Sequence, residues 1–221
     1  ACAPYRRLSL CNKNFQNINN DDSSNAKHNL LLDVCYAAKF EGESLKTYRA
    51  QYDEQYPSSG STFTMCTMLA RSFADIGDIV RGRDLYFGKR KKKNQKETER
   101  DQLEKELKEI FGNIYEGLSK NGAQKHYQDT KNYYQLREDW WTANRGKVWE
   151  AMTCSEDLKN SSYFHATCSD SDGNSQYQTQ NQCRCTKTSG ANAGKANDNV
   201  NIVPTYFDYV PQYLRWFEEW A

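Results

Sequence analysis

Apolar residues recur at helical spacing in five separated stretches of this 221-residue chain. Leu31, Val34, Cys35 and Ala38 fall three or four apart between Asn29 and Phe40, which predicts a helix there. A second runs from about Ser61 to Leu85, with Ser61 or Thr62 as cap and Met65, Leu69, Phe73, Ile76 and Val80 on one stripe. The third, Glu97 to Ser119, sets Leu103, Leu107, Ile110, Phe111, Ile114 and Leu118 against a face of alternating Glu and Lys, as in Glu104 and Lys108, which reads as solvated. Tyr133 to Met152 carries Leu136, Trp140, Ala143 and Val148, with Trp141 and Trp149 alongside. The last helix starts near Pro211 and continues through Leu214, Phe217 and Ala221. Strand-like alternation is confined to Tyr206–Val210, too short to build a sheet. Residues 12–29 and 155–202 are rich in Asn, Ser, Asp, Gln, Gly and Thr and read as loops, and Tyr52 to Gly60 as a linker. The fold class is therefore all-α, a helical domain with long polar loops.

Composition changes one part of this picture. Leu, Ile, Val and Phe number 35 of 221, a lean core, yet net charge is only +1 and 13% of residues are aromatic, so the chain folds rather than staying disordered. No apolar run approaches the ~18 residues of a membrane span. A secretory leader pattern is also absent, and both ends, Ala1-Cys2-Ala3-Pro4 and Glu218-Glu219-Trp220-Ala221, read as cut from something longer.

Eight cysteines, Cys2, Cys11, Cys35, Cys66, Cys154, Cys168, Cys183 and Cys185, stand at wide, irregular gaps. Only Cys183 and Cys185 are close, which argues against a structural zinc site and for disulfides, hence an oxidising exterior. Long loops closed this way contribute about 3–4 kcal/mol each and offset the lean core. One glycosylation sequon, Asn160-Ser161-Ser162, lies in a polar stretch.

Catalytic signatures are missing. His28, His126 and His165 have no metal-binding spacing, and no phosphate-cradling glycine loop or nucleophile elbow occurs, so neither an enzyme nor a metal or cofactor is expected. Asp75 and Asp78 share a helix face, where like charges can raise a pKa for acid–base work. With Arg81 and Arg83 within two turns, a structural ion-paired role is the stronger reading. The tryptophans Trp140, Trp141, Trp149, Trp216 and Trp220 read mainly as core in a chain so short of aliphatics.

One segment breaks the charge balance. Arg81 to Arg100 holds nine Lys or Arg against three acids, a local +6 in a chain of +1, through Lys89, Arg90, Lys91, Lys92, Lys93, Lys96 and Arg100. Such a run contacts polyanions through counterion release and charge-assisted hydrogen bonds, or is a solvated loop. An exterior setting favours a sulfated glycan over nucleic acid or membrane.

Four strings carry a resemblance: ACAPYRRL at 1–8, ADIGDIVRGRDLY at 74–86, LREDWW at 136–141 and PTYFDYVPQYLRWFEEW at 204–220. Together they resemble the Duffy-binding-like domain, most closely the alpha type of the Plasmodium falciparum erythrocyte membrane protein adhesins, with the beta type next. The resemblance implies a disulfide-stapled helical adhesion domain, with a first subdomain at 1–55, a second at 56–221 and a third missing. It implies a bond from Cys66 to Cys183 or Cys185, and upstream partners for Cys2 and Cys11 in some relatives. The implied setting is the extracellular face of the infected red cell, within a larger membrane-anchored protein. Implied partners are host receptors or sulfated glycans such as heparan sulfate, neighbouring domains of the parent chain and host antibodies. A scaffold that positions a neighbouring receptor-binding domain, without its own ligand, is the alternative.

Overall fold

A computed structural model describes residues 2–17, 26–55, 64–88, 98–119, 122–169, 176–179, 181–185 and 202–220. Among them are seven α-helices: α1 (Tyr5–Leu8), α2 (Ala26–Gln55), α3 (Met65–Arg81), α4 (Glu99–Glu116), α5 (Ala123–His126), α6 (Tyr134–Met152) and α7 (Gln212–Trp220). Two short antiparallel strands, β1 (Cys168–Ser169) and β2 (Gln176–Tyr177), fall within the polar region that reads as loop. The helical class stands.

Helix α3 is the axis of the molecule. Its residues are buried on all sides from Cys66 to Arg81 apart from the half-buried Met68, because α2, α6, α7 and the turn at Phe207–Tyr209 all pack on it. Thr64, rather than Ser61 or Thr62, caps it by accepting the Thr67 N–H at 3.3 Å. At its far end Gly82 takes φ +74°, and the Arg83 N–H reaches back to the Asp78 carbonyl at 2.8 Å, the Schellman closure that lets the chain leave sharply. Gly77 permits a close approach of α6, since a Cβ there would lie 2.7 Å from the Trp141 ring.

Aromatic bulk fills the centre. Phe73 meets Trp141 and Trp149 with ring centroids at 5.1 and 5.2 Å, and Phe111 meets Trp140 edge-on at 6.1 Å. Trp140, Trp141, Trp149 and Trp216 are buried as expected, whereas Trp220 is 53% exposed. One continuous core joins α2 residues Leu30, Val34 and Leu45 to α3, α4 and α6.

Helix α2 extends well beyond the stretch its apolar pattern marks. It runs through to Gln55 by continuing its buried face through Glu41 and Leu45, while Leu32, Tyr36 and Phe40 lie outward. The start of the expected linker is therefore helical, and residues 56–63 lie outside the described ones. Helix α7 departs from expectation in the opposite sense. It buries Gln212, Arg215 and Trp216 and exposes Tyr213, Leu214 and Phe217, because its inner face meets fixed carboxylates on α3 rather than an apolar surface.

Four of the eight cysteines are paired. Cys66 bonds to Cys183 across a separation of 117 residues and Cys168 to Cys185 across 17. The first ties the start of α3 to the stretch under α6, where Trp149 donates to the Cys183 carbonyl at 3.0 Å. In the chain-entropy picture the two loops contribute about 4–5 and about 3 kcal/mol. Cys2, Cys11, Cys35 and Cys154 are free thiols in this structure; Cys2 and Cys11 are the two whose partners lie upstream in some relatives, whereas Cys35 and Cys154, expected in disulfides, find no partner here. Cys2 and Cys154 are exposed; burial first, then Glu41, pushes the Cys11 thiol up to about 11, and burial pushes Cys35 up to about 11 against the opposing charge of Lys147.

Candidate adhesive surface

Many charged residues of the described part form a buried lattice around α3. Asp75 accepts from Arg6 at 2.7 Å, Arg215 at 2.8 Å, Gln212 at 3.0 Å and the Trp216 indole at 3.3 Å. Asp78 is held by Arg81 at 3.0 Å and by Arg215. Burial raises the Asp78 carboxyl to about 6 despite these cations; at Asp75 burial acts the same way, but Arg6 and Arg215 outweigh it and hold that carboxyl low. Asp208 takes both forks of Arg145 at 2.8 Å and the Trp141 N–H at 2.9 Å. Both α3 carboxylates are consumed by fixed donors, which supports their structural role over acid–base work. Of the two arginines expected to pair with them only Arg81 does; Arg83 reaches Glu138 at 2.8 Å.

Arg137 connects this lattice to α4. Its fully buried guanidinium donates to the Val80 carbonyl at 2.7 Å at the end of α3 and grips Glu104 of α4 at 2.7 and 3.0 Å. Glu104 is thus drawn out of the solvated face that its spacing with Lys108 suggests. After Gly82 the chain is pinned again by Asp84, whose carboxylate pairs with the buried Arg7 and accepts from Gln212 at 2.8 Å. The described chain before the basic run is therefore held up to Gly88 by Asp84. Thr98 and Asp101 cap each other's backbone at the start of α4, a reciprocal box that fixes the re-entry.

Lys89, Arg90, Lys91, Lys92, Lys93 and Lys96 lie in that segment, outside the described residues. Arg100 is described, in the first turn of α4, with its guanidinium 5.0 Å above the Phe87 ring. It lines an open cleft of about 600 Å³ together with Lys13, Tyr86, Leu10, Leu103 and Leu107. Asn160, the sequon residue, is exposed at a left-handed turn with φ +65°. Among the described residues no group of three His, Cys, Asp or Glu side chains is arranged to hold a metal, and no helix is long and apolar enough to cross a membrane.

The residues that sequence reasoning missed are Arg6, Arg7, Arg137, Arg145, Asp208, Gln212 and Arg215. A signal for two of them was present. Arg137 and Arg145 are spaced i and i+8 with Trp141 between them, on the same stripe as buried tryptophans.

The Duffy binding domain family model matches residues 1–215. The chain belongs to that family. Among solved structures this Duffy binding domain is 39% identical to the NTS-DBL1α domain of Plasmodium falciparum membrane protein 1 (PfEMP1) from the varO strain, covering all of this chain and 43% of that one, with TM-score 0.69. It is 30% identical to an ICAM-1-binding PfEMP1 DBLβ domain over 97% of this chain and 41% of the other, with TM-score 0.64. Among curated proteins it is 23% identical to the Plasmodium vivax Duffy receptor, spanning its own full length but 15% of the receptor's. The chain thus covers less than half of each of these relatives.

Proposed function

We propose that this Duffy binding domain is an adhesive module of a malaria-parasite surface protein, standing on the extracellular face of the infected red cell and engaging host-cell receptors. In finer detail, the segment Lys89 to Lys93 with Lys96 and Arg100 contacts an anionic host glycan of the heparan sulfate type, the interaction that would serve rosetting. The observation that carries this is the concentration of nine Lys or Arg among residues 81–100 in a chain whose net charge is +1. The capping box at Thr98 and Asp101, which fixes the start of α4 just after the run, is consistent with it. The family supports the adhesive class, as relatives are named as Duffy receptors and as an ICAM-1-binding domain. The same proposal takes 1–55 and 56–221 as the first two subdomains, and neighbouring domains and host antibodies as further partners.

Chromatography on immobilised heparin tests the glycan assignment. Replacing Lys89, Arg90, Lys91, Lys92 and Lys93 by Ser is expected to lower the salt at which the chain elutes and to flatten the dependence of affinity on salt. Unchanged retention would overturn the assignment and favour the scaffold that positions a neighbouring receptor-binding domain.

A further inference from the structure

Asn160-Ser161-Ser162 is the one Asn-x-Ser/Thr triplet in a chain of 19 asparagines, and the adhesive reading makes no use of it. In the fold it forms a tight turn after Leu158. The Leu158 carbonyl accepts the Ser161 N–H at 2.9 Å and the Gln182 N–H at 3.1 Å, and the Ser161 carbonyl accepts the Cys183 N–H at 3.0 Å. The Asn160 N–H donates to the Asn181 side chain at 3.1 Å. These bonds hold the turn through its backbone, and none of them uses the Asn160 carboxamide, which belongs to an exposed residue. With φ +65° Asn160 sits in the left-handed region, where asparagine and aspartate are the side chains best tolerated.

Ser162 differs from its neighbour. It is half-buried, and Tyr163 after it is buried, so the hydroxyl that a glycosyl transferase reads two residues beyond the acceptor is less accessible once the turn has packed. Chain order resolves this. Cys183, whose N–H pins Ser161 and whose sulfur bonds to Cys66, lies 23 residues after Asn160 and is therefore made later. The disulfides themselves form in an oxidising secretory compartment, where N-glycosylation also takes place.

We infer that Asn160 is an N-glycosylation site, modified before the Cys66–Cys183 bond closes and left outside the finished fold. The acceptor is the Asn160 Nδ2 and the donor a lipid-pyrophosphate-linked saccharide that ends in N-acetylglucosamine. The bond from Nδ2 to C1 of that sugar forms, the bond from C1 to the pyrophosphate oxygen breaks, the lipid pyrophosphate leaves, and one amide proton passes to a base of the transferase. Nothing is oxidised or reduced. The inference stands apart from the glycan-binding reading, since here the sugar is covalent and lies on another part of the chain.

The test has two arms. In the first, the native chain, Asn160→Asp and Ser162→Ala are secreted from a eukaryotic cell, and the peptide spanning Asn160 is weighed before and after an amidase that releases N-linked glycans. Asp tolerates the same left-handed turn, and both variants are checked for the Cys66–Cys183 bond. The native peptide is expected to carry a saccharide in most molecules, with that bond intact, and both variants none. A bare native peptide overturns the site, and a saccharide that persists in Ser162→Ala overturns its assignment to the triplet. In the second arm, unglycosylated native chain is offered to purified oligosaccharyltransferase and lipid-linked donor, either folded and oxidised or reduced and unfolded. Modification of the unfolded chain at least tenfold faster is expected. Equal rates would overturn the order of events.

Discussion

The two charged regions of this domain use the same residue types to opposite ends. Around α3, six arginines are buried, and Arg81, Arg137, Arg145 and Arg215 are among the most fully enclosed side chains of the molecule. Thirty residues of sequence or less away, Lys89 to Lys96 carry positive charge with no comparable density of acids beside it. In the first region charge is spent on geometry. Desolvating each ion costs several kcal/mol, which the pairing offsets, so the net gain is small but the loss of any one member is large. In the second region, on the reading proposed above, charge serves a partner. The difference teaches that a charge-rich string marks function only when the fold has not already consumed it, and the string from Asp75 to Asp84 is consumed almost entirely.

The sharpest way to break the comparison is inside the lattice. Asp208→Ala leaves Arg145 without its two carboxylate bonds and Trp141 without its acceptor, all in a buried setting. A loss of about 3–5 kcal/mol in urea unfolding is expected. A loss below about 1 kcal/mol would mean that the lattice is not what holds the C-terminal segment.

Next in size is the covalent tie. Replacing Cys66 and Cys183 by Ser opens a loop of 117 residues and should lower stability by about 2–5 kcal/mol. The same measurement on Cys2→Ser, an exposed thiol, should move it by under about 0.5 kcal/mol.

A smaller effect separates the two α3 carboxylates by pH. A carboxyl raised in the folded state stabilises it below the unfolded value of 3.8, and this contribution is lost as pH rises through about 6. Asp78→Asn does not titrate. Relative to the native chain it should therefore become progressively less destabilising between about pH 4 and pH 6, read from urea midpoints across that window. Asp75, held low, contributes in the other direction, through stability that is lost only as pH falls below the ordinary carboxylate range. A difference between native and Asp78→Asn that stays flat from pH 4 to 6 would contradict the assignment.

Helical periodicity was legible because α3, α4 and α6 bury apolar stripes, so Leu69, Leu107 and Trp140 mark their faces directly. The limits of α2 were not, since its continuation to Gln55 buries Glu41 through a bond to Ser72 at 2.6 Å, a polar contact that no apolar count registers. The same physics hid the inner face of α7. Gln212 and Arg215 look like surface residues until the Asp75 carboxylate that receives them, 137 and 140 positions away in the chain, is in place. At the candidate surface, local charge could be read in advance. What could not was how the chain before the run is held, because Arg137 and Arg7 act across the molecule.

The central claim is that stability and adhesion draw on separate sets of charges. It is tested most directly by measuring, on one variant with Ser at positions 89 to 93, both the urea unfolding free energy and retention on heparin. The account predicts unfolding within about 0.5 kcal/mol of native and elution at distinctly lower salt. Loss of stability by several kcal/mol with native retention would contradict it.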